Sequence, residues 1–430
     1  MGTRFHRVPG SLIAALFGAA LAWGLLRFGA AETRVLYQLF LLLLLPALIA
    51  AFSPRLAKPK ALLPLLLVGL FLLAHTALQP TLEGLGFIHL SIGWMALFLT
   101  VRLASDSQRW ARNLLLFLIV LGGAEAAYGM VQSIGGVDAI GSYSRGLGEI
   151  ATGTFINRNH FAGLLNMTLP LAVGALFTAF ARRRSSRHAA SETYALTWIV
   201  LLCCSLMGLA VLLSQSRAGT VTLISSLLFL SLLLVLARRR SAGKSIPALA
   251  AWIILFTVLG LGLSVGLEAL LARFGRLGQA DLRFRVYRDS LELIADHPLL
   301  GVGPGMYRWR FRPYQTEGTE RLFDHAHNDY LETAAEWGVP LALLFWGFVL
   351  RRFYRSARLF VESRHPVRQG IALGSATAIF SILLHSLFDF NLQIPANLAV
   401  LCTILGLAWS LEWTGRRSAR QPASGEEARA

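Results

Sequence analysis

Long apolar stretches separated by short polar connections dominate the chain. Crossing the hydrocarbon core of a bilayer, about 30 Å thick, takes roughly 20 helical residues. Stretches that reach or approach this length are residues 11–29, 35–52, 61–78, 85–103, 114–134, 160–180, 195–213, 219–237, 246–270, 331–350, 370–388 and 394–412. The pattern predicts an all-α, polytopic membrane protein with about 12 transmembrane helices.

The fourth, fifth and last stretches have the weakest pattern, because small or charged residues interrupt it. Gly93 lies in the fourth stretch, and Gly122, Gly123 and Glu125 lie in the fifth. Any of the three could form a re-entrant or broken helix instead of a continuous span.

Composition agrees with the hydrophobic pattern. Of the 430 residues, 55% are hydrophobic and only 15% are charged, which excludes an ordinary soluble domain. Cys203, Cys204 and Cys402 all lie inside predicted helices. They are expected to be small buried apolar residues, with no disulfide framework.

Lysine and arginine determine the predicted orientation, since positive charge near the ends of short loops resists translocation. With a cytoplasmic N-terminus, the basic clusters Arg182–Arg184, Arg238–Arg240 and Arg351–Arg358 all fall on the cytoplasmic side. Both termini are then expected in the cytoplasm. The net charge of +17 follows from cationic loops that face anionic membrane lipid, and it does not require a nucleic-acid partner.

The chain is expected to form one membrane domain over residues 1–430, with a large insertion at 271–329 on the outer side and a disordered cytoplasmic tail at 414–430. Within the insertion, apolar and charged residues are interleaved over 281–296, which predicts an amphipathic helix on the membrane surface or over a cavity. A turn rich in glycine and proline follows at 297–305.

The segment Asp324–Tyr330 concentrates titratable groups directly before an apolar stretch. Such groups at a membrane boundary indicate a functional site. An imidazole, with a pKa near 6.5, can accept a proton from a sugar hydroxyl at neutral pH. His325 and His327 could instead bind a metal ion with Asp324 and Asp329, although the spacing matches no standard metal site.

Two further polar clusters are predicted on the same outer face. Asn157, Arg158 and Asn159 precede the sixth stretch, and Arg217 ends a short connection between two apolar stretches. The first cluster could be a helix N-cap, and the arginine could extend to lipid headgroups. An arginine at this boundary would also suit a lipid-linked phosphate or pyrophosphate, because the guanidinium fork matches two phosphate oxygens.

Taken in order, these motifs resemble the O-antigen ligase and polymerase superfamily. The motifs are the segment Thr154–Asn159, the pair Ser216–Arg217, the turn Gly301–Gly305 and the segment His325–Glu332 followed by Gly338. The resemblance implies a glycosyltransferase in the bacterial inner membrane, with its active site in the periplasm. It also implies that neither a nucleotide sugar nor a metal or other cofactor is required.

The resemblance implies roles for individual residues. The catalytic histidine falls on His327 and the outer arginine on Arg217. The other candidate substrate-binding residues are Arg158, Arg288, Asn157, Asn159, His325 and Asn328. The implied reaction moves a glycan from undecaprenyl pyrophosphate to a hydroxyl of lipid A core. His327 would accept the hydroxyl proton, and Arg217 would stabilise the departing pyrophosphate.

Other functions stay open at this point. The superfamily also includes polymerases, for which the acceptor is a second lipid-linked glycan, and protein O-oligosaccharyltransferases. A transporter or flippase would need polar groups near the middle of the membrane, where Glu125 is the main example. A non-catalytic scaffold for polysaccharide assembly is a further alternative.

Overall fold

The computed structural model describes residues 10–53, 85–183, 190–238, 278–316 and 322–418. Within these ranges the chain forms thirteen α-helices, three 3-10 helices and one antiparallel pair of very short strands. Eight of the described helices are long and apolar enough to cross a membrane. The predicted all-α, multi-pass membrane fold is therefore confirmed.

The helices follow one another along the chain with short connections. In order, the α-helices are α1 (Gly10–Leu26), α2 (Thr33–Phe52), α3 (Leu85–Asp106), α4 (Gln108–Gly135), α5 (Arg158–Arg183), α6 (Ala190–Leu213), α7 (Arg217–Arg238), α8 (Gly278–Asp296), α9 (Tyr307–Arg310), α10 (Asp329–Trp337), α11 (Val339–Glu362), α12 (Pro366–His385) and α13 (Pro395–Ser418). The strands are β1 (Ala139–Ile140) and β2 (Tyr143–Ser144), and the 3-10 helices are Phe28–Ala30, Arg312–Tyr314 and Asn391–Gln393.

The three stretches with the weakest pattern form continuous helices, namely α3, α4 and α13. Their glycines allow close helix packing: a Cβ at Gly123 would lie 2.6 Å from Sγ of Cys203 in α6. The predicted spans at 61–78 and 246–270 lie outside the described residues. The predicted disordered tail begins too early at 414, because α13 continues to Ser418.

The stretch predicted as one span at 331–350 is instead two helices. Gly338, with φ 78° and ψ 156°, separates α10 from α11. A side chain there would overlap the backbone of Leu299, and the amide of Val339 donates to the carbonyl of Pro298 at 2.8 Å. The prediction is wrong because the loop after α8 packs against the chain at this point and requires a glycine with positive φ.

α5 and α12 are antiparallel and pack closely through glycines. A Cβ on Gly174 of α5 would overlap the carbonyl oxygen of Gly370 in α12, and the reverse is also true. One turn further, a Cβ on Gly374 would lie 3.0 Å from Cα of Leu171. Small residues four apart let helix backbones approach inside a membrane. The packing brings the start of α5 and the end of α12 to the same end of the bundle.

The outer segment, which we define as the described residues from 278 to 338, has a small hydrophobic cluster of its own. It contains the predicted amphipathic helix as α8. Val286 and Leu293 of α8 are buried in the cluster, whereas Phe284 and Leu291 are exposed. The alternation of buried and exposed positions confirms the amphipathic character of this helix.

The glycine-rich turn at 301–305 joins the outer segment to the bundle. The amide of Val302 donates to the carbonyl of Ala335 at 2.8 Å. A Cβ on Gly86, in the first turn of α3, would overlap the carbonyl of Pro304. The contact therefore needs a small residue at the start of α3, and it fixes the outer segment against that helix.

Replacing Gly370 with Leu should separate α5 from α12 and lower the free energy of unfolding by roughly 1–3 kcal/mol, as expected for overpacking. The thermal midpoint of the purified protein in detergent would measure this change. Gly347→Leu is the matched control, because a Cβ at Gly347 in α11 has no atom within 4 Å. An equal loss of stability in both variants would contradict the close glycine packing.

Candidate active site

His327 lies in the turn that leads into α10. Its backbone has a positive φ of 51°, which non-glycine residues rarely adopt. The next residue, Asn328, is the N-cap of α10, and its side chain accepts hydrogen bonds from the amides of Tyr330 and Leu331 at 2.9 and 3.1 Å. The cap fixes the direction of the turn, and with it the position of the His327 side chain.

Asp389 follows α12, and its carboxylate is fully buried among three imidazoles. Nδ1 of His327 lies 3.6 Å from Oδ1 of Asp389. Nε2 of His160, from α5, and Nε2 of His385, from α12, each lie 3.9 Å from Oδ2. Among the described residues, no donor comes within hydrogen-bond distance of either carboxylate oxygen. The close packing of α5 on α12 therefore brings two of the three histidines to the carboxylate.

The surroundings of Asp389 favour its ionised form. Burial alone would raise the pKa of this carboxyl, but the neighbouring imidazoles of His327, His160 and His385 outweigh burial and hold the pKa well below its ordinary value. A negative charge is thus fixed beside Nδ1 of His327. It favours a proton on Nδ1, which leaves Nε2 as the nitrogen that can accept another proton.

Exposure distinguishes the histidines from one another. The side chains of His160 and His385 are 6% and 0% exposed, whereas that of His327 is 28% exposed. Only a side chain that a substrate can reach can exchange a proton with it. His327 therefore meets the geometric requirement for a base, and the two buried histidines do not.

His325 is also accessible, but it is held differently. Its Nδ1 lies 2.6 Å from Oε1 of Glu332, and its ring is stacked on Phe390 at a centroid distance of 4.0 Å. Burial opposes the charge on this imidazole, but Glu332 outweighs burial and raises the pKa of His325 above its ordinary value. In its cationic form, His325 is therefore suited to bind an anion, and it is less suited to accept a proton.

Tyr287 of α8 connects the outer segment to the backbone around His327. Its phenolic Oη lies 3.0 Å from the carbonyl oxygen of His327 and 3.1 Å from that of Leu387, so one proton is shared between two acceptors. Asn328 also donates to Leu387 through Nδ2 at 3.3 Å. These bonds hold the turn of His327 against the turn that carries Asp389.

Asp329 reinforces the same junction from the first turn of α10. Its carboxylate accepts hydrogen bonds from Oγ of Ser386 at 2.7 Å and from the amide of Leu392 at 3.1 Å. Its own amide donates to the carbonyl of Ser386 at 3.0 Å. Asp329 thus has a structural role at this position.

The predicted cluster before α5 and the predicted arginine are neighbours in the structure. Ser216, the residue before Arg217, donates from Oγ to Oδ1 of Asn159 at 2.8 Å. Asn157 accepts a hydrogen bond from the amide of Asn159 at 2.8 Å, which agrees with the N-cap interpretation. His160 follows Asn159 and lies 3.9 Å from Asp389, so the start of α5 lies between Ser216 and the carboxylate beside His327.

The remaining two candidate arginines have different surroundings. Arg158 is the first residue of α5 and is partly buried. Arg288 of α8 has a side chain that is 65% exposed and lies 3.3 Å from Oδ1 of Asp289, and it also donates to Thr316 at 3.0 Å. Arg288 is thus partly neutralised where it stands, and its role in substrate binding stays a prediction.

The alternative of a metal site finds no support in the geometry. His325 faces Glu332, His327 faces Asp389 and Asp329 faces Ser386. In the part of the chain that the structure describes, no group of three or more His, Cys, Asp or Glu side chains is arranged to hold a metal ion.

Glu125, the charged residue that favoured a transporter, has a structural role in α4. It accepts hydrogen bonds from the amide of Thr154 at 2.9 Å and from Oγ1 of Thr154 at 2.8 Å. Oγ1 of Thr154 also lies 2.6 Å from the carbonyl oxygen of Leu25. Glu125 therefore fixes the turn before α5 to α1 and α4, and with it the start of α5.

Sequence reasoning did not select Asp389, His385, His160 or Tyr287 as site residues. A signal was present in part. His385 and Asp389 are four residues apart at the outer end of an apolar stretch, which is the spacing of one helix face. Tyr287 gave no comparable signal, because a tyrosine on an amphipathic helix is ordinary.

A comparison with models of known families gives one match. Residues 202–346 match the family described as O-antigen ligase. This part of the chain is similar to O-antigen ligases. The resemblance to the O-antigen ligase and polymerase superfamily is thereby confirmed.

The O-antigen ligase match contains Arg217, Arg288, His325, His327 and Asn328. It does not extend to Asn157, Arg158 and Asn159, nor to Asp389, which reach the same site through the fold. No curated protein matches the chain. At the level of the family, the match supports a membrane protein that transfers glycans as a ligase or a polymerase.

Replacing His325 with Gln should destabilise the protein most at acidic pH. Because folding raises the pKa of His325, its pair with Glu332 contributes fully below the unfolded value of about 6.5 and is lost as the pH rises through the folded value. The difference in thermal midpoint between wild type and His325→Gln should shrink as the pH rises above about 6.5. The exposed His297 provides the control His297→Gln. A difference that grows with pH would argue against the ion pair.

Proposed function

We propose that the protein is a glycosyltransferase of the periplasmic face that moves a glycan from undecaprenyl pyrophosphate to a hydroxyl of lipid A core. The observation that carries this proposal is the accessible imidazole of His327 beside the buried Asp389 carboxylate, 3.6 Å away. A general base oriented by a carboxylate is what activation of a hydroxyl requires. The O-antigen ligase match over residues 202–346 supports the same chemistry.

In the proposed reaction, His327 is the catalytic base and Asp389 is a positioning residue. The acceptor oxygen forms a bond to the anomeric carbon of the donor glycan, and its proton passes to Nε2 of His327. The bond from the anomeric carbon to the pyrophosphate oxygen breaks, and both electrons stay on that oxygen. Asp389 stabilises the imidazolium that results, because it remains ionised beside Nδ1.

Arg217 is proposed to bind the pyrophosphate as it leaves. It begins α7, where the first amides of the helix favour an anion, and the hydrogen bond from Ser216 to Asn159 holds this turn beside α5. His325, with its raised pKa, would add a second positive charge. Arg158 and Asn157 at the start of α5, together with Asn159 and Asn328, are the neighbours proposed to contact the donor.

The distribution of positive charge supports a periplasmic site and cytoplasmic termini. The site lies at the end of α12, near His385. Toward the other end, Arg352 and Arg355 of α11 pair with Glu412 of α13 at 3.1 and 3.0 Å, and Arg368 donates to the carbonyl of Leu411 at 2.8 Å. Apart from the arginines of the long outer segment, basic residues cluster at this other end of the bundle, as expected for the cytoplasmic side of the inner membrane.

A polymerase is the second candidate within the same chemistry. It would use the same base and the same anion site, but its acceptor hydroxyl would belong to a second lipid-linked glycan. The O-antigen ligase family match agrees with both. The ligase is the first candidate because the family description names that activity.

Replacing His327 with Ala should reduce glycan transfer roughly 10²- to 10⁴-fold, the usual contribution of general acid–base catalysis. The rate of transfer in membrane vesicles, with protein amount measured by immunoblot, would test this. His297→Ala is the matched control, because His297 is exposed on the same outer segment and should leave the rate unchanged. Normal transfer by a well-folded His327→Ala protein would remove His327 from the mechanism.

The lipopolysaccharide of a strain that lacks this protein should separate the two candidates. If the protein is a ligase, the strain should contain intact lipid A core, and full-length glycan should accumulate on the lipid carrier. A polymerase predicts single repeat units attached to lipid A core. Rescue of the strain by His327→Ala as well as by wild type would contradict both and favour a transporter or a scaffold.

A further inference from the structure

A basic and aromatic surface on the outer segment plays no part in the proposed chemistry. We call Arg308, Trp309, Arg310 and Arg312 the arginine–tryptophan surface. All three arginines are exposed, and Trp309 is 44% exposed. The guanidinium carbons of Arg308 and Arg312 lie 4.6 and 4.8 Å from the centroid of the Trp309 ring, so cation–π contact orders both side chains.

The arginine–tryptophan surface is built on a rigid base. Between its residues, Tyr307 and Phe311 point inward and are 1% and 0% exposed, with rings stacked at 4.9 Å. Oη of Tyr307 lies 2.7 Å from Oγ of Ser290 in α8, and its amide donates to Glu336 of α10 at 3.2 Å. The exposed arginines are therefore presented by a fixed backbone.

The arginine–tryptophan surface lies at the boundary of the membrane. The turn before it contacts the start of α3, where a Cβ on Gly305 would lie 3.4 Å from Cα of Gly86. Because α3 is a candidate span, its first turn marks the level of the lipid headgroups. Tryptophan and arginine are favoured at this level, since their apolar parts face lipid and their polar parts face water and phosphate.

The same surface is built on the hydrophobic cluster that also underlies the turn of the candidate base. Phe311 shares the hydrophobic cluster of the outer segment with Ala326, the residue before His327. Among the described residues, no carboxylate makes an ion pair with Arg308, Arg310 or Arg312. Three exposed guanidinium groups thus belong to the same packed unit as the turn that would receive the acceptor hydroxyl.

We infer that the arginine–tryptophan surface binds phosphate groups carried by the acceptor glycolipid. This inference rests on the proposed transferase function and adds the chemical class of the acceptor. A guanidinium fork matches two phosphate oxygens, and stacking on Trp309 reduces the side-chain freedom that is lost on binding. A glycolipid anchored in the membrane would present its phosphates at the height where the surface lies.

The surface is assigned to the acceptor and not to the donor because its arginines and Arg217 lie on different elements of the structure. Arg217 begins α7 and its neighbour Ser216 bonds to Asn159 of α5, whereas Arg308–Arg312 belong to the outer segment, whose cluster contains Phe311 and Ala326. Two anionic lipids that meet at one base need separate anion sites. The outer segment supplies the second.

The test compares wild type with the triple variant Arg308→Gln, Arg310→Gln, Arg312→Gln in vesicles of zwitterionic phosphatidylcholine. Transfer is measured with a phosphorylated acceptor glycolipid and with the same glycolipid after phosphatase treatment. For the phosphorylated acceptor, the KM of the variant should rise roughly tenfold while kcat stays unchanged, as expected for several exposed charge contacts. For the treated acceptor, both proteins should have the same KM.

Matched controls separate the acceptor from bulk lipid. Arg351→Gln with Arg358→Gln removes two exposed charges from α11 and should not change either KM. An unchanged KM in the triple variant, or an equal rise for both acceptors, would overturn the inference. So would a defect that appears only after anionic phosphatidylglycerol is added to the vesicles, because this would assign the surface to bulk phospholipid.

If the protein is not a glycan transferase, the experiment would give a different result. Wild type would then transfer glycan to neither acceptor. In that case co-flotation of the phosphorylated glycolipid with the protein decides the inference alone. Retention by wild type and loss in the triple variant would support it, and equal retention would overturn it.

Discussion

An ionised carboxylate that is buried at a membrane boundary must be balanced by groups close to it, because removing it from water costs several kcal/mol. Asp389 lies among imidazoles from three separate stretches of the chain: His160, His327 and His385. The stretches meet only when α5 lies against α12 and the outer segment is docked on both. Folding of the bundle and assembly of the site are therefore one event, coupled through a single negative charge.

The outer segment is held to the bundle largely through backbone atoms of the bundle. Tyr287 donates to the carbonyl of Leu387 at 3.1 Å, and Arg283 donates to the carbonyl of Phe388 at 3.1 Å. Backbone acceptors are present whatever side chains occupy those positions. The junction thus depends on the path of the chain after α12, and side chains such as Leu387 and Phe388 are left exposed to other contacts.

The sequence was sufficient for the membrane class, for most of the described spans and for the amphipathic α8, because each rests on a local period of apolar residues. It failed at 331–350, where the break at Gly338 is caused by Leu299 and Pro298 packing against it, a contact that no local pattern contains. It also predicted His327 and Arg217 as site residues from motifs, and these roles stay predictions; the structure shows Ser216 bonded to Asn159 and His327 beside Asp389. Asp389 could not be recognised from the sequence, because its role depends on His327 and His160, which are 62 and 229 positions away in the chain.

The left-handed backbone of His327, with φ 51°, affects which residues evolution would favour at this position. A β-carbon in this conformation costs on the order of 1 kcal/mol, and glycine or asparagine would relieve that strain. The native residue is therefore not the most stable one at its own position. Selection for thermal stability alone would favour glycine at this position. Retention of an imidazole at this turn would therefore indicate selection for catalysis.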